Sequence, residues 1–86
     1  MTRVKIEYPI GLHERGLSYQ VREIFARNSL DPKTVYDGAE DEERWTTEYE
    51  FPDEIMLPDK SGLKEMVERG LGLPSISILN LEVLAQ

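Results

Sequence analysis

The sequence predicts a single α+β domain over residues 1–86, built in the order β-α-β-β-α-β. Three observations carry this. Two stretches alternate apolar and polar residues with a period of two, one near the amino terminus and one at mid-chain. Two others repeat their apolar residues at helical spacing. Pro9 and Pro52 close the two alternating stretches. At 86 residues, 40% hydrophobic and 31% charged, the chain has the composition of a small globular domain with one core.

In the first strand Val4, Ile6 and Tyr8 alternate with Arg3, Lys5 and Glu7, and Pro9 stops the ladder. From Gly16 the period changes: Leu17, Val21, Ile24 and Phe25 form the core-facing stripe of a helix over about residues 14–28. Asn28-Ser29 is expected to end it, because asparagine tolerates the left-handed conformation found at helix ends. Asp31-Pro32 marks a turn, Lys33 to Tyr36 a short β-prone run, and Asp37-Gly38 a closing turn. Trp45, Thr47, Tyr49 and Phe51, alternating with Thr46, Glu48 and Glu50, predict a strand with its aromatic residues turned inward. Pro52 ends that strand, and Ile55 and Leu57 anchor the connection that follows.

Asp59 or Ser61 caps a second helix reaching about Arg69, with Leu63, Met66 and Val67 inward and Gly70 as its stop. The last strand is expected over Ser75 to Leu84, with Ile76, Ile78, Leu79, Leu81 and Val83 supplying the apolar positions. Its alternation slips between Ile78 and Leu79, the mark of a bulge or of a strand covered on both faces. A helix from Ile78 to Gln86 is the competing reading. Two such units close most economically as one mostly antiparallel sheet with both helices on one face, a ferredoxin-like split β-α-β arrangement. Right-handed crossovers are expected to place the first and last strands at its centre.

Composition narrows the function classes. The chain has no cysteine, which excludes disulfides, thiolate metal sites and cysteine nucleophiles, and suits a reducing compartment. It has no apolar run of membrane-spanning length, and its first residues lack the apolar stretch of a signal peptide. The cytoplasm is the expected location. The net charge of −7 sits in the middle: between Asp37 and Asp59 there are ten carboxylates against Arg44 alone. Such a field repels nucleic-acid phosphates and anionic lipid and attracts basic proteins. The expected partner is therefore a protein with a basic surface, and neither nucleic acid nor a membrane.

The cluster Glu40, Asp41, Glu42 and Glu43, with Trp45 as an aromatic anchor, is the expected binding surface of such a module. Its carboxylates lack the alternate-position spacing of a calcium loop, so no metal site is assigned and no cofactor is implied. No nucleotide-type phosphate loop and no nucleophile elbow is present, and Gly70-Leu71-Gly72 reads as a helix stop. An adaptor or inhibitor, rather than an enzyme, is the first reading.

The second reading starts from Ile10-Gly11-Leu12-His13-Glu14-Arg15-Gly16, which holds the only histidine. A histidine at the first turn of a helix lies beside unpaired N–H groups that favour an anion, and an arginine two residues on can grip a phosphate with two bonds. Val4-x-Ile6 followed by Gly11-Leu12-His13-x-Arg15 resembles the start of HPr, the histidine phosphocarrier family of the bacterial sugar phosphotransferase system. The resemblance implies the same β-α-β-β-α-β order, an HPr-like open sandwich followed in that family by one more helix. It makes His13 the phosphoryl acceptor and Arg15 the phosphate clamp, with N–H groups near Gly16 and Leu17 completing the cradle. Lys60-Ser61-x-Leu63 is similar to the opening of the family's second helix, which makes Ser61 the matching regulatory position. The chain departs from the family at Glu14, where alanine is usual, and at Gly16, where proline is usual.

Overall fold

The computed structural model describes residues 2–72 and 80–85. Its elements are β1 (Thr2–Pro9), α1 (Ile10–Glu14), α2 (Leu17–Arg27), β2 (Lys33–Ala39), β3 (Arg44–Phe51), α3 (Lys60–Leu71) and β4 (Asn80–Ala85). They form a small α+β domain with one four-stranded sheet in the order β2-β3-β1-β4, every neighbouring pair antiparallel.

The alternating strands behave as their pattern dictates. Val4, Ile6 and Tyr8 of β1, Tyr49 and Phe51 of β3 and Leu81 of β4 are buried on one face. Against them pack Leu17, Val21 and Phe25 of α2 and Leu63 and Val67 of α3, so both long helices cover the same side of the sheet. Phe25 meets Tyr49 and Phe51 edge to face, with ring centroids 5.4 and 5.2 Å apart. Ile55 and Leu57 pack on this core from the connection before α3.

Five expectations need correction. The helix expected over residues 14–28 is α2 and starts only at Leu17, because Gly16 takes a left-handed conformation (φ 77°) that separates it from an unexpected short helix, α1, over Ile10–Glu14. At the end of α2 the left-handed residue is Ser29 (φ 62°); Asn28 instead caps the helix with its side chain, Nδ2 donating to the Ile24 carbonyl at 2.7 Å. Asp37-Gly38 is not a turn. β2 runs through it, and residues 40–43 make the turn, because Asp37 is held by donors from β3. α3 continues past Gly70, capped by Asp59 at its start and by left-handed Gly72 at its end. Gly70 serves packing instead: a Cβ there would meet Ile24 at 2.7 Å.

The last correction concerns strand order. β1 and β3 occupy the centre, and β4 is an edge on which Val83 stays 40% exposed. β1 and β2 flank β3, while β3 and β4 flank β1. Each helical crossover leaves a gap one strand wide, and the other unit's strand fills it. The strand assignment near the carboxyl end holds for Asn80–Ala85; the part of that expectation covering Ser75 to Leu79, with its bulge at Ile78, lies outside the described residues.

Candidate functional site

The acidic cluster becomes the tip of the β2–β3 hairpin, and its four carboxylates do different things. The Asp41 carboxylate turns inward on the loop: Oδ1 accepts the backbone N–H groups of Glu43 (2.8 Å) and Arg44 (2.9 Å). These two bonds hold its carboxyl below the usual aspartate value, with the Arg44 charge assisting. A side chain that bridges its own backbone in this way fixes the turn. The Ile10 N–H donates to the Glu43 carbonyl at 2.9 Å and ties the tip to the start of α1. Glu40, Glu42 and Glu43 remain exposed around this braced turn.

Trp45 is half-buried, and its indole Nε1 donates to Asp37 Oδ1 at 2.6 Å. The same oxygen accepts the Thr47 hydroxyl at 2.9 Å, and Thr47 Oγ1 lies 2.9 Å from the Tyr8 hydroxyl. Since the single Thr47 proton goes to the carboxylate, the Tyr8 hydroxyl is the donor to Thr47. A polar chain therefore runs from fully buried Tyr8 through fully buried Thr47 to the exposed Asp37. It joins three neighbouring strands at the hairpin end of the sheet. Burial pushes the Tyr8 phenol above its ordinary value.

The face of the sheet away from the helices is polar. Its cross-strand rows are Lys33, Glu50, Arg3 and Leu84; Tyr36, Glu48, Lys5 and Glu82; and Gly38, Thr46, Glu7 and Asn80. Arg3 Nε pairs with Glu50 at 3.3 Å. Glu7, 8% exposed, sits between Lys5 Nζ at 3.7 Å and Arg44 Nη1 at 3.9 Å. Among the described residues no group of three or more metal-ligating side chains is placed together.

The residues of the second reading lie outside α2, His13 in α1, Arg15 at the break before α2 and Ser61 in α3. The His13 backbone lies in α1; its side chain is outside the described part of the structure. His13 therefore does not open the long helix. That helix begins at Leu17, with Gly16 as a cap that offers no side-chain acceptor. Arg15 is exposed at the break, its N–H donating to the Leu12 carbonyl and its own carbonyl accepting Gln20 Nε2. Ser61 is exposed at the second position of α3. Its neighbour Gly62 lies beside Arg27 and Asn28, at the other end of α2 from Arg15. Eleven helical residues span about 16 Å, so the two sites are not brought together. The structure does bring α1 and the acidic tip to one end of the sheet.

Tyr36 and Gly38 share one surface that the turn composition of Asp37-Gly38 conceals. The available signal is the spacing of Tyr36, Gly38 and Glu40, which continues a period of two toward the hairpin tip. Among the described residues no helix is long and apolar enough to cross a membrane. No family model, curated protein or solved structure matches the chain.

Proposed function

We propose that the chain is an acidic protein-interaction module, an adaptor or inhibitor that docks a basic partner protein through the β2–β3 hairpin. The observation that carries this reading is the braced turn. Asp41 and the Ile10–Glu43 bond hold the loop backbone, so Glu40, Glu42 and Glu43 present their charges from a framework that needs little ordering on binding. Charges so placed speed encounter with a cationic surface and make association salt-dependent. We read the strand order as ferredoxin-like, since each crossover skips one strand, and place the protein in the cytoplasm, which a chain without cysteine suits.

The test is calorimetric titration with an oligolysine peptide at low and high salt. Reversing Glu40, Glu42 and Glu43 to lysine, with Asp41 left to hold the turn, is expected to weaken binding about tenfold or more. A control reversal of the exposed Glu23, Glu54 and Glu65 changes net charge equally and is expected to have a much smaller effect. Equal losses in the two variants would sink the idea.

One observation favours a second reading, an HPr-like phosphocarrier. Left-handed Gly16 opens α2 without a side-chain cap, which leaves its first N–H groups beside exposed Arg15. The test is incubation with phosphoenolpyruvate and the general phosphotransferase enzyme, followed by intact mass and phosphorus NMR. An acid-labile adduct lost in His13→Ala supports the carrier; a folded protein without adduct rules it out.

A further inference from the structure

Beside the hairpin tip, on the face away from the helices, Lys5, Tyr36, Glu40, Thr46 and Glu48 line a groove of about 230 Å³. Its charges are unbalanced. Lys5 is the cross-strand neighbour of Glu48, but its ammonium turns along β1 to Glu7 at 3.7 Å. Glu48 has no ion pair among the described residues, and Glu40 meets the Thr46 hydroxyl at 3.4 Å without a cationic partner among them. Two carboxylates against one ammonium, itself turned toward Glu7, leave the groove a net negative charge.

The aromatic wall is prepared independently of those charges. A Cβ on Gly38 would stand 2.9 Å from the Tyr36 hydroxyl oxygen and 3.1 Å from Cζ, so the tyrosine ring lies down across the glycine. An aromatic laid over a strand glycine is held in place by the strand itself. The ring remains 47% exposed. A fixed, exposed aromatic face next to unpaired carboxylates has the chemistry that receives a cation, through the ring quadrupole and charge-assisted hydrogen bonds together. A planar guanidinium uses both at once, stacking on the ring while its edge reaches the carboxylate. An ammonium is compact and more strongly hydrated, and it lacks the flat face that stacks on the ring while its edge bonds the carboxylate.

The geometry points to this groove as the seat of one arginine side chain of the partner, stacked on Tyr36 and bonded to Glu48. The assignment rests on the hairpin reading above and names the partner residue that the hairpin guides into place.

The test is an amide NMR titration of the full chain with a pentapeptide alternating arginine and glycine. Its lysine counterpart and its uncharged citrulline counterpart serve as comparisons. Shifts are expected at Tyr36, Thr46 and Glu48 with the arginine peptide, binding about three- to fivefold weaker for lysine, and none for citrulline. Tyr36→Ala and Glu48→Gln are each expected to weaken the arginine peptide about three- to fivefold, and both sites are exposed enough to change without loss of the core. Wild-type affinity in both variants overturns the assignment, as do equal affinities for arginine and lysine. If those variants bind normally while the Glu40, Glu42 and Glu43 reversal does not, the groove falls and the hairpin reading stands. If the reversal also binds oligolysine normally, both fall.

Discussion

Thr47 offers the sharpest test of how the sheet is held in register. It is fully buried between β1 and β2, accepts the Tyr8 hydroxyl and donates to Asp37. Thr47→Val keeps the shape and deletes both bonds. The loss of the Tyr8 bond costs about 1 kcal/mol, and the bond to the carboxylate a similar amount, because exposed Asp37 regains water. The stranded Tyr8 hydroxyl adds about 1 kcal/mol, the low end for a buried donor, since the Ser18 side chain also reaches it. The expected destabilisation is about 3 kcal/mol. Tyr8→Phe removes the same donor and leaves the Thr47–Asp37 bond, so it is expected to cost about 1 kcal/mol. In the double variant no donor is stranded and the shared bond is lost once. It is therefore expected to cost about 2 kcal/mol, roughly 2 less than the sum of the singles. Urea unfolding followed by Trp45 fluorescence reads this directly, because Trp45 is the only tryptophan and bonds the same carboxylate. Additivity within about 0.3 kcal/mol would refute the chain as drawn.

Two further outcomes follow from titrating groups. Burial raises the Tyr49 and Tyr8 phenols, so the folded state keeps protons that the unfolded chain releases near the ordinary tyrosine value, about 10. The stability this represents is present below that pH and lost above it; urea midpoints are expected to fall from neutral to strongly alkaline pH, and less steeply in Tyr49→Phe, whereas parallel slopes would contradict it. The Asp41 carboxyl is lowered by the Glu43 and Arg44 N–H groups, so its contribution is present above the ordinary aspartate value and lost as pH falls through the lower folded one. Asp41→Ala is expected to speed hydrogen exchange at the Glu43 and Arg44 amides, while Glu42→Ala leaves both unchanged; similar exchange in the two variants would show that Asp41 does not brace the turn.

Much of the fold was legible because it is local. The alternation through Tyr8, the positions Thr47, Tyr49 and Phe51, and the helical stripe from Leu17 to Phe25 name residues that are in fact buried, while Trp45 at the start of its strand is only half-buried. Asp59 was among the residues expected to cap α3, and it does so by accepting the Gly62 N–H. The errors fall where a residue's local preference yields to a distant partner. Asp37-Gly38 has the composition of a turn, but Trp45 and Thr47 draw Asp37 into the sheet and the Tyr36 ring occupies the space above Gly38. Gly70 has the composition of a stop, but Ile24 needs its missing side chain. The candidate site was legible only as a cluster of charge; which acids brace the turn and which face outward depends on hydrogen bonds that spacing does not encode.

What the sequence by itself determined is therefore the existence of the four strands and the two long helices, the core faces of β1, β3, α2 and α3, and the concentration of negative charge at mid-chain. Periodicity and composition are properties of neighbouring residues, and they survive whatever the rest of the chain does. Tertiary structure decided the order β2-β3-β1-β4, the polar chain from Tyr8 to Asp37, and the meeting of Tyr36 with Glu48 across the hairpin. Those features pair residues far apart in the chain or across a strand register, and register is settled by the pairing of whole strands and the filling of one shared core.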